Sequence, residues 1–190
     1  MAMPDRYPAA RLDALVDGVF GVAMTLLVLE IKLPDPMPTS AAGLLDALVG
    51  LRESLGTYAL AFFLLGLRWI MGLRPAGLPE ASVSRGQALL TLLYLFFVTA
   101  VPFSTATLRH APGLWPAASL FGLNIALMAG SGLVLTHRHG DASRMRGLWL
   151  LLACATVVTL AAPWTGPAAL WAFTLLAADP VVTRIPQREK

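Results

Sequence analysis

Arg11, Asp13, Asp17 and Gly18 open the first long apolar run of this chain, and Glu30 and Lys32 close it. Charges at the ends of an apolar run suit two kinds of chemistry: they attract and pass ions, or they lock helices together through pairs shielded from water. Asp13 stands where the headgroup region and the positive end of a helix dipole would stabilise a carboxylate. Asp17 lies deeper, where solvation alone is less adequate, and a partner such as Arg11 or Arg68 is expected for it; such a network can also be purely structural. Between these charges, Leu15, Gly18, Val22, Thr25 and Leu29 are spaced three and four apart and share one helix face, with Leu26 at its edge. In a membrane every face is apolar, so a packing core is the ordinary explanation of such a stripe. The mixture of small Gly18 and Val22, polar Thr25 and bulky Leu29 also fits the wall of a narrow pore on a symmetry axis, with apolar constrictions that gate by dewetting. Thr25 has a reading of its own, since a threonine hydroxyl can bond the carbonyl of the preceding turn.

The remaining reactive residue types form no constellation. There is no nucleophile–base pair, no phosphate-binding glycine loop and no metal-ligand spacing on a shared element; His110, His137 and His139 fall in expected loops and read as surface residues. Arg68, late in the second apolar run, either snorkels to the interface or pairs with Asp17. Glu30 and Lys32 form either a cation-attracting mouth or a pair of solvated end charges. Gly130 and Gly132 flank Ser131 and permit close helix packing. Cys154 is the one cysteine, so no intrachain disulfide is possible, and its apolar setting reads as an inert buried thiol. The expectation is a protein that is not an enzyme and has no cofactor.

The elements that position these residues follow from composition. Of 190 residues 57% are hydrophobic and only 13% charged, about half the charge of an ordinary soluble domain. Water cannot be the main solvent for such a surface, so the class is all-α integral membrane protein. A helix rising about 1.5 Å per residue needs roughly 20 residues to cross about 30 Å of hydrocarbon. Six spans are expected, at about Ala10–Leu33, Leu55–Leu73, Gln87–Val101 (stopped by Pro102), Trp115–Leu135, Leu148–Ala162 and Pro167–Val182. Pro34, Pro36 and Pro38 force an extended loop after the first, and Ser40–Ser54 reads as a short amphipathic lead-in. Pro163-Trp164-Thr165-Gly166 leaves room only for a tight hairpin. A single domain, 1–190, accounts for the chain. The N-terminus lacks the layout of a cleaved signal peptide, so the first span is expected to be retained.

The formal net charge is +3. The basic residues lie between apolar runs, which argues for membrane orientation rather than nucleic-acid binding. With six spans, Arg6, Arg11, Arg74, Arg85, Arg138, Arg144, Arg146, Arg184, Arg188 and Lys190 fall on one side, against Lys32, Arg52 and Arg109 on the other. Both termini are therefore expected in the cytoplasm of a multi-pass protein of the cell's inner (plasma) membrane. Trp115, Trp149, Trp164 and Trp171 lie at or near span ends, as interfacial aromatics do.

Arg11 to Lys32, read Arg-Leu-Asp-Ala-Leu-Val-Asp-Gly-Val-Phe-Gly-Val-Ala-Met-Thr-Leu-Leu-Val-Leu-Glu-Ile-Lys, resembles the opening helix of the transmembrane protein 175 family in its bacterial branch. The family's hallmark is Arg-x-x-x-Phe-Ser-Asp, followed by Gly and a Thr-Leu-Leu-Val-Leu type of run. Arg11, Asp17 and Gly18 match; Leu15 replaces the phenylalanine and Val16 the serine. Leu93 to Thr105 resembles the family's third helix and its exit, and Phe62 to Leu73 with Trp69 fits more loosely. The resemblance covers the first half well and the second half mainly in helix count and hydropathy.

The resemblance implies a six-helix subunit, a homotetramer in bacteria, with the first helix lining a potassium-permeable pore that has no carbonyl-type filter. By position, Val22, Thr25 or Leu26, and Leu29 become the constrictions and the selectivity layer, while Arg11, Asp17 and Gly18 belong to the network holding the bundle. The expected partners are permeant potassium ions, the lipid bilayer and copies of the same chain. A small six-helix secondary transporter is the rival, and would show related halves and Gly- or Pro-broken helices near the midplane. A third class is an assembly factor without transport.

Overall fold

The computed structural model describes residues 6–73, 82–111, 113–137 and 142–178. Their order is β1 (Arg6–Pro8), α1 (Ala9–Leu29), α2 (Ala41–Gly50), α3 (Arg52–Gly72), β2 (Ser82–Ser84), α4 (Arg85–Thr99), α5 (Val101–His110), α6 (Trp115–His137), α7 (Ala142–Thr165) and a 3-10 helix (Gly166–Ala178). Five helices among the described residues are long and apolar enough to cross a membrane: Ala9–Leu29, Arg52–Gly72, Arg85–His110, Trp115–His137 and Met145–Thr165. The sixth expected span begins as the 3-10 helix instead of an α-helix, and its last residues, 179–182, lie outside the described ones. At about 2.0 Å of rise per residue, 3-10 geometry carries a short segment further than an α-helix would.

Several expected boundaries are corrected. The first helix ends at Leu29, not Leu33: the Ile31 amide donates to the Val28 carbonyl in a tightened last turn, and residues before Pro34 are biased out of helix. The amphipathic lead-in is α2, capped by Ser40, whose hydroxyl accepts from the Gly43 amide. The second span starts at Arg52 and the fourth runs on to His137. Pro102 does not stop the third span. The helix breaks at Ala100 and resumes with Pro102 in the first turn of α5, where a missing amide is no loss. The Asn124 side chain of α6 braces this break, donating from Nδ2 to the Phe97 carbonyl and to Ser104 Oγ, each at 3.3 Å.

Pro163 likewise falls inside α7 rather than after it. A proline there leaves the carbonyl four residues earlier, that of Thr159, without its helical donor. The Ser119 hydroxyl of α6 supplies one at 3.0 Å. Gly166 then turns the chain with φ +58, which glycine adopts at no steric cost, and the 3-10 helix packs back on α7 and α6. The Phe173 ring meets Phe121 edge-on at 5.9 Å. The expected tight hairpin is thus present, turned at a single glycine.

The all-α reading also misses a small antiparallel ladder, in which Arg6, Tyr7 and Pro8 pair with Ser84, Val83 and Ser82. It ties the start of α1 to the start of α4, where Ser84 and Gln87 form a reciprocal capping box.

The core centres on α6 and α7, with Phe121, Ile125, Met128, Leu148, Ala155 and Val158 fully buried. They approach closely at Gly122, where an added Cβ would meet Thr159 Oγ1 at 2.7 Å, the Thr159 amide nitrogen at 2.9 Å and the Ala155 carbonyl at 3.0 Å. Two of those atoms are backbone and cannot swing away. Gly122→Leu is therefore expected to destabilise the subunit by about 1–3 kcal/mol, read as a lower melting temperature of the detergent-purified protein. Gly130→Leu is the control, since nothing among the described residues lies within 4 Å of a Cβ there. Equal melting temperatures for the two variants would refute the close crossing. In contrast to α6, helices α1 and α3 bury only a few residues each and leave apolar side chains such as Leu29, Phe63 and Ile70 exposed.

Candidate functional site

Helix α1 has two unlike faces. One carries Phe20, Ala23 and Leu27, all buried, with Val16, Val19 and Met24 beside them, and it packs on α3, α4 and α5. The Phe20 ring lies 6.1 Å from that of Tyr94 on α4. The opposite face carries Leu15 (43% exposed), Val22 (58%), Leu26 (43%) and Leu29 (68%), with Gly18 and Thr25 exposed among them. Every residue of the expected stripe lies on this uncovered face. Packing core within the subunit, the ordinary explanation of such a stripe, does not apply. Among the described residues nothing lies within 4 Å of a Cβ built on Gly18, so contacts between them do not require glycine there.

The Thr25 hydroxyl donates to the Val22 carbonyl at 2.8 Å. The local bond foreseen for a helical threonine is made, and the hydroxyl oxygen keeps its lone pairs for another donor or a cation.

Asp17 finds a partner, but not one of those expected. The Trp69 indole Nε1–H of α3 donates to Asp17 Oδ1 at 2.9 Å. Arg11 is exposed, and neither Arg11 nor Arg68 forms an ion pair with Asp17 in the structure. Arg68 sits half-buried on the same side of α3 as Ala61, Leu64 and Leu65, and its Nε and Nη1 are buried with no hydrogen-bond partner among the described residues. Full snorkelling to water, the other reading of Arg68, does not describe these nitrogens. Trp69 goes unnoticed in the residues alone because an indole looks like an apolar anchor, although its N–H seeks an acceptor when covered.

At the far end of α1, Glu30 Oε2 lies 3.4 Å from Arg109 Nη2 on α5, a contact across 79 positions of chain. Glu30 is therefore not a merely solvated end charge. His110 stands beside the same guanidinium, while His137 is exposed and His139 lies outside the described residues. Among the described residues no group of three His, Cys, Asp or Glu side chains could hold a metal ion. Cys154 is free and buried, and Ser131 turns its hydroxyl back to the Leu127 and Met128 carbonyls.

Residues 11–102 match the family described as the endosomal/lysosomal potassium channel TMEM175. A potassium channel of Streptomyces collinus is 34% identical over 125 residues, which are 64% of this chain and 59% of that protein. A potassium channel of Chamaesiphon minutus is 35% identical over 107 residues, 56% of this chain and 52% of that one. The matched stretches thus span little more than half the length of these two relatives. In three dimensions the chain is similar to the crystal structure of a lysosomal potassium-selective channel TMEM175 homologue from Chamaesiphon minutus, with a TM-score of 0.70 and 26% identity, covering 89% of this chain and 96% of that one. The sequence match over residues 11–102, which carry Asp17, Trp69 and Pro102, and a shared fold over most of the chain make this multi-pass membrane protein similar to the TMEM175 family in both sequence and structure.

Proposed function

We propose that the protein is a subunit of a passive, potassium-selective cation channel, built as a homotetramer of six-span subunits around α1. The carrying observation is that Leu15, Gly18, Val22, Thr25, Leu26 and Leu29 form one uncovered line while the reverse of the same helix is packed. Four such lines around an axis make a narrow tube. Val22 and Leu29, with Leu26 at the edge, supply its apolar constrictions; Thr25 supplies a polar layer between them. Conduction of this kind needs no reacting group and no cofactor, only a permeant ion. Asp17 acts on the assembly rather than on the ion: its bond to Trp69 fixes α1 against α3, and Arg11 and Gly18 complete that end of the helix. The charge asymmetry supports an inner-membrane protein with both termini on the cytoplasmic side. A reporter fused to the C-terminus should read as cytoplasmic, and an external reading would remove the six-span subunit.

The break in the third span at Ala100–Pro102 favours a second reading, because interrupted helices are a mark of secondary transporters. Recording purified protein in a planar bilayer under a potassium–sodium gradient separates the two. A channel gives discrete current steps with a reversal potential displaced toward that of potassium; a carrier gives no steps and a saturating flux. The second outcome would displace the channel.

A further inference from the structure

The ends of α1 and α5 meet in a charged cluster at the Leu29 end of the uncovered line. Arg109 Nη2 lies 3.4 Å from Glu30 Oε2, 2.9 Å from His110 Nε2 and 3.3 Å from His110 Nδ1. His110 Nδ1 is in turn 2.8 Å from the Ala106 carbonyl. A carbonyl only accepts, so in this arrangement Nδ1 carries the proton and Nε2 offers the lone pair that receives Arg109. The guanidinium is held between a carboxylate on one helix and an imidazole on its own.

Neither charge is placed where it would rest alone. Arg109 is only 15% exposed and its Nε is buried with no hydrogen-bond partner among the described residues, a cost that a freely solvated arginine would avoid. Glu30 caps the C-terminal end of α1, where the helix dipole disfavours negative charge, and it is 32% exposed. Each offsets what the other lacks. Glu30 also directly follows Leu29, the last and most exposed residue of the line.

We propose that Arg109, steadied by His110, sets the charge at this end of the ion path by neutralising Glu30, and so limits how strongly the mouth concentrates permeant cations. This rests on the reading of α1 as the wall of the path. With Arg109 in place Glu30 is neutralised; without it, every subunit presents a carboxylate that has lost its ion-pair partner next to the Leu29 ring.

The test is potassium conductance of the full-length protein in neutral-lipid bilayers at 10 mM and 1 M potassium chloride. The Debye length is about 30 Å in the first and about 3 Å in the second. Arg109→Gln should raise low-salt conductance by about threefold or more, with the excess gone at 1 M. Glu30→Gln strands Arg109 as a positive charge and should lower low-salt conductance, and the double variant should return to the parent. An Arg109→Gln protein equal to the parent at both salts, or changed by the same factor at both, overturns the proposal, because a structural defect does not respond to screening. Should Arg109→Gln fail to assemble, Glu30→Gln carries the test alone, and a drop that does not depend on salt overturns it equally. Leu29→Ala, measured alongside, tells the two readings apart. If it alters conductance while the charge variants do not, the mouth proposal fails and the pore stands; if it too is silent, the pore itself fails.

Discussion

Leu29→Ala conducts potassium on the order of tenfold faster than the parent, since lowering a barrier by about 1.4 kcal/mol gives that factor. The reason lies in the geometry of α1. Leu29 is the most exposed residue of the uncovered line, at 68%, and in the proposed tetramer four of its isobutyl groups meet on the axis. Their apolar surface excludes the hydration shell of an ion and favours a dry gap. Alanine removes most of that surface from all four subunits at once, leaving the packed face of Phe20, Ala23 and Leu27 untouched. Thr25→Val acts differently. It deletes the hydroxyl now bonded to the Val22 carbonyl without widening the tube, so conductance is nearly kept while the preference for potassium over sodium falls. Val28→Ala is the control: Val28 is also exposed but lies off the line, on the shoulder of α1. Flux from liposomes with matched oligomer content decides the matter. If Leu29→Ala and Thr25→Val both behave like Val28→Ala, α1 does not line the path and the carrier reading moves ahead.

Trp69→Phe lowers the stability of the assembled protein by about 1.5–3 kcal/mol, the worth of a hydrogen bond to a charged group, while leaving ion preference unchanged. Phenylalanine keeps an aromatic ring against α1 but takes away the indole donor that Asp17 Oδ1 accepts from. The carboxylate then stands near the start of a spanning helix without compensation, where charge is costly. Asp17→Leu removes the need for a donor as well, so the double variant Asp17→Leu/Trp69→Phe should be less destabilised than the sum of its parts. Arg11→Ala should cost much less than either, because Arg11 is exposed and does not reach Asp17. These expectations are read as recovery of intact oligomer on heating in detergent. Additive losses, or a greater loss from Arg11→Ala than from Trp69→Phe, would return the arginine to the centre of the network.

Local properties were legible in the sequence. The scarcity of charge over long apolar runs announced a membrane protein, and proline and glycine placed most helix ends to within a few residues. Because a helix turns through a fixed angle per residue, Leu15, Gly18, Val22, Thr25 and Leu29 had to share a face in any fold that keeps α1 helical. The motif around Arg11, Asp17 and Gly18 carried the family resemblance for the same reason, being contiguous. What the sequence could not settle was whether that face is covered, since exposure depends on where α3, α4 and α5 pack. Nor could it tell which prolines end a helix. The cost of the missing amide of Pro163 falls on the Thr159 carbonyl, and the donor that waits for it belongs to another element: Ser119 reaches Thr159 across 40 positions, as Asn124 reaches the Phe97 carbonyl beside the break at Ala100 across 27. The same holds for charge. Asp17 chose an indole 52 residues away over an arginine six residues away, and Glu30 met Arg109 across 79. Partners at such separations are selected by helix packing, which brings together side chains that no spacing along the chain relates.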